Sequence, residues 1–90
     1  MAGGDFGFDV GALDRLAAAR GGHLIVATLH AVGVTDSIRL AAGAMHLHHS
    51  SVAARLLRAE HELGFSVRSA AGRSRLALAL TLRHLRDHPA

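Results

Sequence analysis

The sequence predicts an all-α domain of about five helices, a small bundle that contains a helix-turn-helix. Three observations predict it. The apolar half of the 90 residues is dominated by Ala and Leu, with three Phe and neither Trp nor Tyr; that balance favours close-packed helices over a β-sandwich. Apolar residues recur at three- and four-residue spacing in several segments. Glycines, or Ser/Thr/Asp clusters, stand where those patterns stop or start.

Residues 1–10 are Gly-rich and aperiodic and are expected to form a flexible lead-in, with Phe6, Phe8 and Val10 docking at its end. The domain proper is expected to span 11–88. Its first helix starts at Asp9 or Gly11 and runs to about Arg20, with Leu13, Leu16 and Ala17 on one face, until Gly21-Gly22 stops it. A second helix, about 23–32, carries Ile25, Leu29 and Val32 at i, i+4, i+7. Its Leu24–Ala27 run would also suit a buried strand, but the chain offers no strands to pair with it. Gly33 ends this helix, and Thr35-Asp36-Ser37 supplies an N-cap for a short third helix, about 36–45, whose inner face is Ile38, Ala41, Ala42 and Met45.

After an interruption at His46-Leu47, a fourth helix begins near His48, with Ser50 and Ser51 in its first turn or one of them capping it. Val52, Leu56, Ala59 and Leu63 lie at i, i+4, i+7, i+11, a helical stripe closed by Gly64. Residues 65–72 read as a loop that returns Phe65 and Val67 to the core. In the final segment Leu76, Leu78, Leu80 and Leu82 alternate as a strand would, yet Ala and Leu are strong helix formers and only Thr81 is β-branched. As a helix it is apolar on two faces, Leu78/Leu82/Leu85 and Leu76/Leu80. It is therefore expected either at the centre of the core or with one face against another subunit.

Composition excludes several functions. Cysteine is absent, which removes disulfides and thiolate metal sites. No apolar run reaches the roughly 20 residues of a membrane span. The N-terminus carries acids where a signal peptide has bases, so a cytoplasmic location is expected. Among the eight histidines, His46, His48 and His49 are too close along a turn to converge on one ion, and His84 and His88, at i, i+4, lack a further ligand. No metal or other cofactor is expected. Nor is an enzyme: Ser, His and Asp occur without a nucleophile elbow, paired carboxylates or a phosphate-cradling Gly loop.

Every basic residue is Arg, and the charge is uneven: residues 1–36 carry a net −2 and residues 37–90 a net +5. A basic C-terminal part on a small helical domain suggests a polyanionic partner.

The stretch Ile38 to Leu56 has the spacing of a helix-turn-helix. Ala42 is the small residue where the helices cross, Met45 and Leu47 flank the turn, and Val52 and Leu56 anchor the second helix; Ala42 to Leu47 and Leu47 to Val52 are five residues each. The turn position that favours Gly holds His46, a residue that tolerates positive φ better than most, at some strain.

From Ala12 to Leu85 the chain resembles the C-terminal helix-turn-helix domain of the PucR/CdaR family of bacterial transcriptional regulators. The family's string is close to A-x-x-L-H-V-H-R-N-T-L-x-Y-R-L-x-R-I-E-E-L-L-G, and His46, His48, Arg55, Leu56, Arg58, Glu60, Leu63 and Gly64 match it. Leu13–Arg20 and Leu24–Gly33 resemble the two preceding helices, and Arg75–Leu80 the last. The chain departs where the family has Arg-Asn-Thr, here His49-Ser50-Ser51, and where it has Tyr, here Ala54. Neither His nor Ser makes the bidentate base pairs worth about 1–3 kcal/mol of discrimination.

The resemblance implies double-stranded DNA as partner, bound by a homodimer because one recognition helix covers few bases. His48, His49, Ser50, Ala53 and Ala54 are expected to face base edges, and Arg39, Ser51, Arg55 and Arg58 to contact phosphates. The alternative is a helical interaction or dimerisation module that has lost specific readout, which the small Ala53 and Ala54 favour and the basic C-terminal part opposes.

Overall fold

The computed structural model describes residues 2–35 and 37–89, with side chains from residue 7 onward. They form five helices, α1 (Ala2–Ala18), α2 (Gly22–Thr35), α3 (Ile38–Met45), α4 (His49–Leu63) and α5 (Ala70–Asp87), and no strand among the described residues. The all-α expectation holds.

α2 is the hub: it packs against each of the other four helices. Its sequence explains why, since GHLIVATLHAVGVT carries no Asp, Glu, Lys or Arg. Ile25, Val26, Leu29 and Val32 are buried, and the one buried hydroxyl, on Thr28, donates to the Leu24 carbonyl at 2.7 Å and so leaves no unmet donor. Around it the core takes Ala12, Leu13 and Leu16 from α1, Val52, Leu56, Ala59 and Leu63 from α4, and Leu76, Ala79 and Leu80 from α5. Val67 returns to this core as expected, and Phe65 packs half-buried against it.

One expectation is corrected here and one open choice is narrowed. The segment 2–10 is not an irregular lead-in: it forms the first half of α1. Glycine costs about 0.5–1 kcal/mol at each interior helix position, so local propensity argues against this helix, and a long-range partner overrides it. Asp9 is fully buried, and its carboxylate accepts from Arg75 Nε at 2.6 Å and Arg75 Nη2 at 2.9 Å, across 66 residues of sequence. The second point concerns α5, for which the sequence leaves two placements open: it is not central. Leu76, Ala79 and Leu80 are buried on α1 and α2, while Leu78, Leu82 and Leu85 are 40%, 37% and 58% exposed. Among the described residues, only one of its two apolar faces is covered.

Candidate nucleic-acid interface

α3 and α4 are joined by a turn whose geometry follows from a single left-handed residue. His46 has φ 56° and ψ 41° and ends α3; its N–H reaches the Ala42 and Gly43 carbonyls, and the next N–H, of Leu47, donates to the Ala42 carbonyl at 2.8 Å. This six-to-one bond closes the helix and reverses the chain. Ala42, 4% exposed, sits where the two helices meet, and Leu47 and Val52 pack on the far side of the turn, Val52 fully buried. Of the expected inner face of α3, Ala41 and Ala42 are buried, Ile38 packs half-buried on the core, and Met45 is half-buried outside it.

Both helices are capped at their N-termini by the residues before them. Ser37 Oγ accepts from the Leu40 N–H at 3.2 Å. At α4 the cap is His48, not Ser50 or Ser51: its Nδ1 accepts from the Ser50 N–H at 3.2 Å and lies 2.7 Å from Ser50 Oγ. The tautomer that makes this cap carries its proton on Nε2, which remains a donor. The His49 ring stacks on the His48 ring, with centroids 4.4 Å apart.

Since Val52, Leu56, Ala59 and Leu63 define the inward face of α4, the same spacing started at Ser50 defines the outward one: Ser50, Ala54, Leu57 and His61, all exposed. His48, His49, Ser51 and Arg58 are exposed as well, whereas Ala53 and Arg55 are half-buried on opposite flanks of the helix. Arg39 is exposed on α3. Leu57, 61% exposed, is the apolar centre of this face.

Eight of the ten arginines fall into two sets. One set is engaged by carboxylates: Arg75 with Asp9, Arg83 and Arg86 with Asp14, and Arg15 with Glu62. Arg86 donates to Asp14 Oδ2 at 2.6 Å and Oδ1 at 2.9 Å, and Arg83 adds a bond at 3.0 Å. The hydrogen bonds from Arg86 hold the Asp14 carboxyl down at about 2 and also lower Asp87, while Asp14 raises Arg86 in return. The other set, Arg20, Arg39, Arg55 and Arg58, pairs with no carboxylate among the described residues. Arg58 does not reach Glu62, which takes Arg15; its Nη1 donates instead to the Arg20 carbonyl at 3.3 Å. Much of the positive charge counted in the C-terminal part is therefore spent on the acids of α1. What lines one flank of α4 is Arg20 from the α1–α2 turn with Arg55 and Arg58 of α4 itself, while Arg39 is exposed on α3 beside Val67, Arg68 and Arg73.

A family model for the PucR C-terminal helix-turn-helix domain matches residues 25–82, nearly two-thirds of the chain. The chain belongs to that family. The match begins in α2 and ends in α5, so it contains the whole α3–turn–α4 unit and leaves α1 outside. No curated protein and no solved structure matches the chain.

Within this PucR-type domain, no group of three or more His, Asp or Glu side chains among the described residues is placed to hold a metal ion, and no helix is long and apolar enough to cross a membrane. Residue-by-residue reading missed Leu57 and Arg20 as members of the surface around α4. Leu57 was legible from the helical stripe, because its position lies opposite Ala59 and Leu63. Arg20 was not, since it reaches α4 only through the packing of the α1–α2 turn.

Proposed function

We propose that this PucR-type domain binds duplex DNA as a transcriptional regulator and lays the N-terminal half of α4 in the major groove. The observation that carries the reading is the exposed face of α4, clamped at its turn by Ala42, His46 and Leu47 and flanked by Arg20, Arg55 and Arg58, with Arg39 exposed on α3, all four without carboxylate partners among the described residues. A solvated basic border neutralises backbone phosphates and releases their counterions. His48, His49, Ser50, Ala53 and Ala54 face base edges in this arrangement, His48 offering its Nε2–H to a guanine acceptor, and Leu57 extends the surface with apolar contact suited to a thymine methyl. Arg39, Ser51, Arg55 and Arg58 set register on the phosphates.

Fluorescence anisotropy with random-sequence duplex at low salt tests this directly. Binding is expected at about 10⁻⁴–10⁻⁶ M or tighter, weakening steeply as salt rises. Arg39→Ala should weaken binding to every sequence alike and lower the salt slope by about one unit, with unfolding midpoints unchanged. Absence of any salt-dependent binding would defeat the reading.

The uncovered face of α5 supports a dimer. Leu78, Leu82 and Leu85 form an apolar stripe, and a second copy of this stripe is its natural cover, because a two-fold pair of recognition helices reads twice the sequence that one can. Leu82→Glu should convert a dimer, measured by sedimentation, to a folded monomer.

A second reading is favoured by one observation: a leucine 61% exposed at the centre of the outward face of α4 also suits a protein partner. In that case the same anisotropy titration stays flat.

A further inference from the structure

The α1–α2 turn and α4 enclose a cleft of about 280 Å³ lined by Arg20, Gly21, Leu24 and Ile25 on one side and Ala54, Arg55 and Arg58 on the other. Three of its walls are guanidinium-bearing side chains, and no acid lines it. Its floor is apolar, through Leu24 and Ile25. The first turn of α2, which opens beside it at Gly22, contains no acidic residue, so the positive end of that helix dipole is not offset. Arg55 carries the most telling atom: its Nη1 is buried and makes no hydrogen bond among the described residues. A guanidinium paired with no carboxylate keeps its charge, and in a cleft with two further arginines it favours an anionic oxygen.

We propose that this cleft seats one phosphodiester of the DNA backbone beside the major groove, with Arg20 as a direct contact alongside Arg55 and Arg58. The proposal rests on the duplex-binding reading above and adds to it a place and a residue. The hydrogen bond from Arg58 Nη1 to the Arg20 carbonyl fixes the two arginines relative to each other before DNA arrives. Ala54, the smallest chiral side chain, keeps the rim low enough for the backbone to approach. The position of the turn matters too: Gly21 adopts φ 72°, the left-handed conformation that lets the chain leave α1 and re-enter helix within three residues, carrying Arg20 to the edge of α4.

Two measurements separate this proposal from the reading beneath it. In the first, duplex affinity is followed against salt for the wild type, Arg20→Gln and Arg55→Lys. Arg20 is exposed, so its substitution leaves the fold intact, and a slope lower by about one unit in Arg20→Gln supports the contact. A wild-type slope and affinity in Arg20→Gln overturn it while leaving duplex binding intact. Arg55→Lys keeps the charge and removes the planar fork; a loss of affinity several-fold beyond that of a Val34→Gln control, at an exposed position outside the interface, supports guanidinium recognition, and equality with the control counts against it. In the second, inorganic phosphate is titrated into ¹⁵N-labelled protein without DNA. Shifts confined to residues 20–25 and 54–58, abolished by Arg20→Gln, support an anion seat in the cleft even if the duplex does not bind. Shifts spread over all arginines, or none, overturn it.

Discussion

Along the seam between α1 and α5, arginine meets aspartate; in the cleft between the α1–α2 turn and α4, Arg20, Arg55 and Arg58 meet no carboxylate among the described residues. At the seam, Arg75 closes on the buried Asp9, and Arg83 and Arg86 close on Asp14. These bonds tie a glycine-rich helix to the last helix of the chain and hold α1 in place outside the region that the PucR family model matches. Beside α4, Arg20, Arg55 and Arg58 face no carboxylate among the described residues, Arg58 bonding only to a backbone carbonyl, and Arg39 is likewise unpaired with any carboxylate on α3. The same side chain thus serves cohesion where an acid lies opposite and recognition where none does. Counting charge along the chain merges these two populations; only pairing separates them.

The largest effect is expected at the α1–α2 turn, which belongs to the recognition side. A Cβ at Gly22 would stand 2.0 Å from the Leu16 carbonyl oxygen and 2.5 Å from that of Ala17. Backbone cannot yield as a flexible side chain does, so Gly22→Ala should lose roughly 3 kcal/mol in urea unfolding. A midpoint near that of the wild type would mean the turn has slack and does not position Arg20.

Next comes the seam. Asp9→Asn leaves Arg75, whose side chain is 39% exposed, facing a neutral amide; about 2 kcal/mol of stability should go, the range for hydrogen bonds to charged groups, while the salt slope of duplex binding stays as it was. A changed slope would show that the two arginine populations are coupled.

Acid should act on the seam in a defined window. The Asp14 carboxyl is lowered from 3.8 to about 2 by Arg86 and Arg83. A group depressed on folding stabilises the native state above its unfolded pKa, and that contribution is lost as pH falls toward the folded value. Unfolding midpoints should therefore drop between pH 4 and pH 2, and Asp14→Asn should flatten the curve in that interval. An identical curve in the variant would assign the acid sensitivity to other carboxylates.

The smallest effect is at His46. Replacing a left-handed histidine at φ 56° by Gly should raise stability by a few tenths to about 1 kcal/mol, with duplex affinity preserved. A destabilised His46→Gly would mean that the imidazole contributes contacts that outweigh its backbone strain.

Much of the fold was legible before any coordinates. The stripe Val52, Leu56, Ala59, Leu63 announced α4, its inward face and, by subtraction, its outward one, because helical period is a local property. The turn was legible too: five-residue steps from Ala42 to Leu47 to Val52 placed the left-handed residue at His46, where it is found. The N-cap of α4 was readable only to within two residues, since a histidine competes poorly with serine in any local ranking and won here by the direction of its ring nitrogen.

What the sequence by itself determined is the set of helices from α2 onward and the surface that α4 shows, since both follow from period, glycine stops and the residue types at the turn. What only the tertiary structure decided is which arginines remain unpaired, which apolar face of α5 stays bare, and that residues 2–10 are helical. Each of those depends on partners tens of residues away, as Asp9 and Arg75 show, and a charge or an apolar stripe carries no mark of what will lie opposite it once the chain has packed.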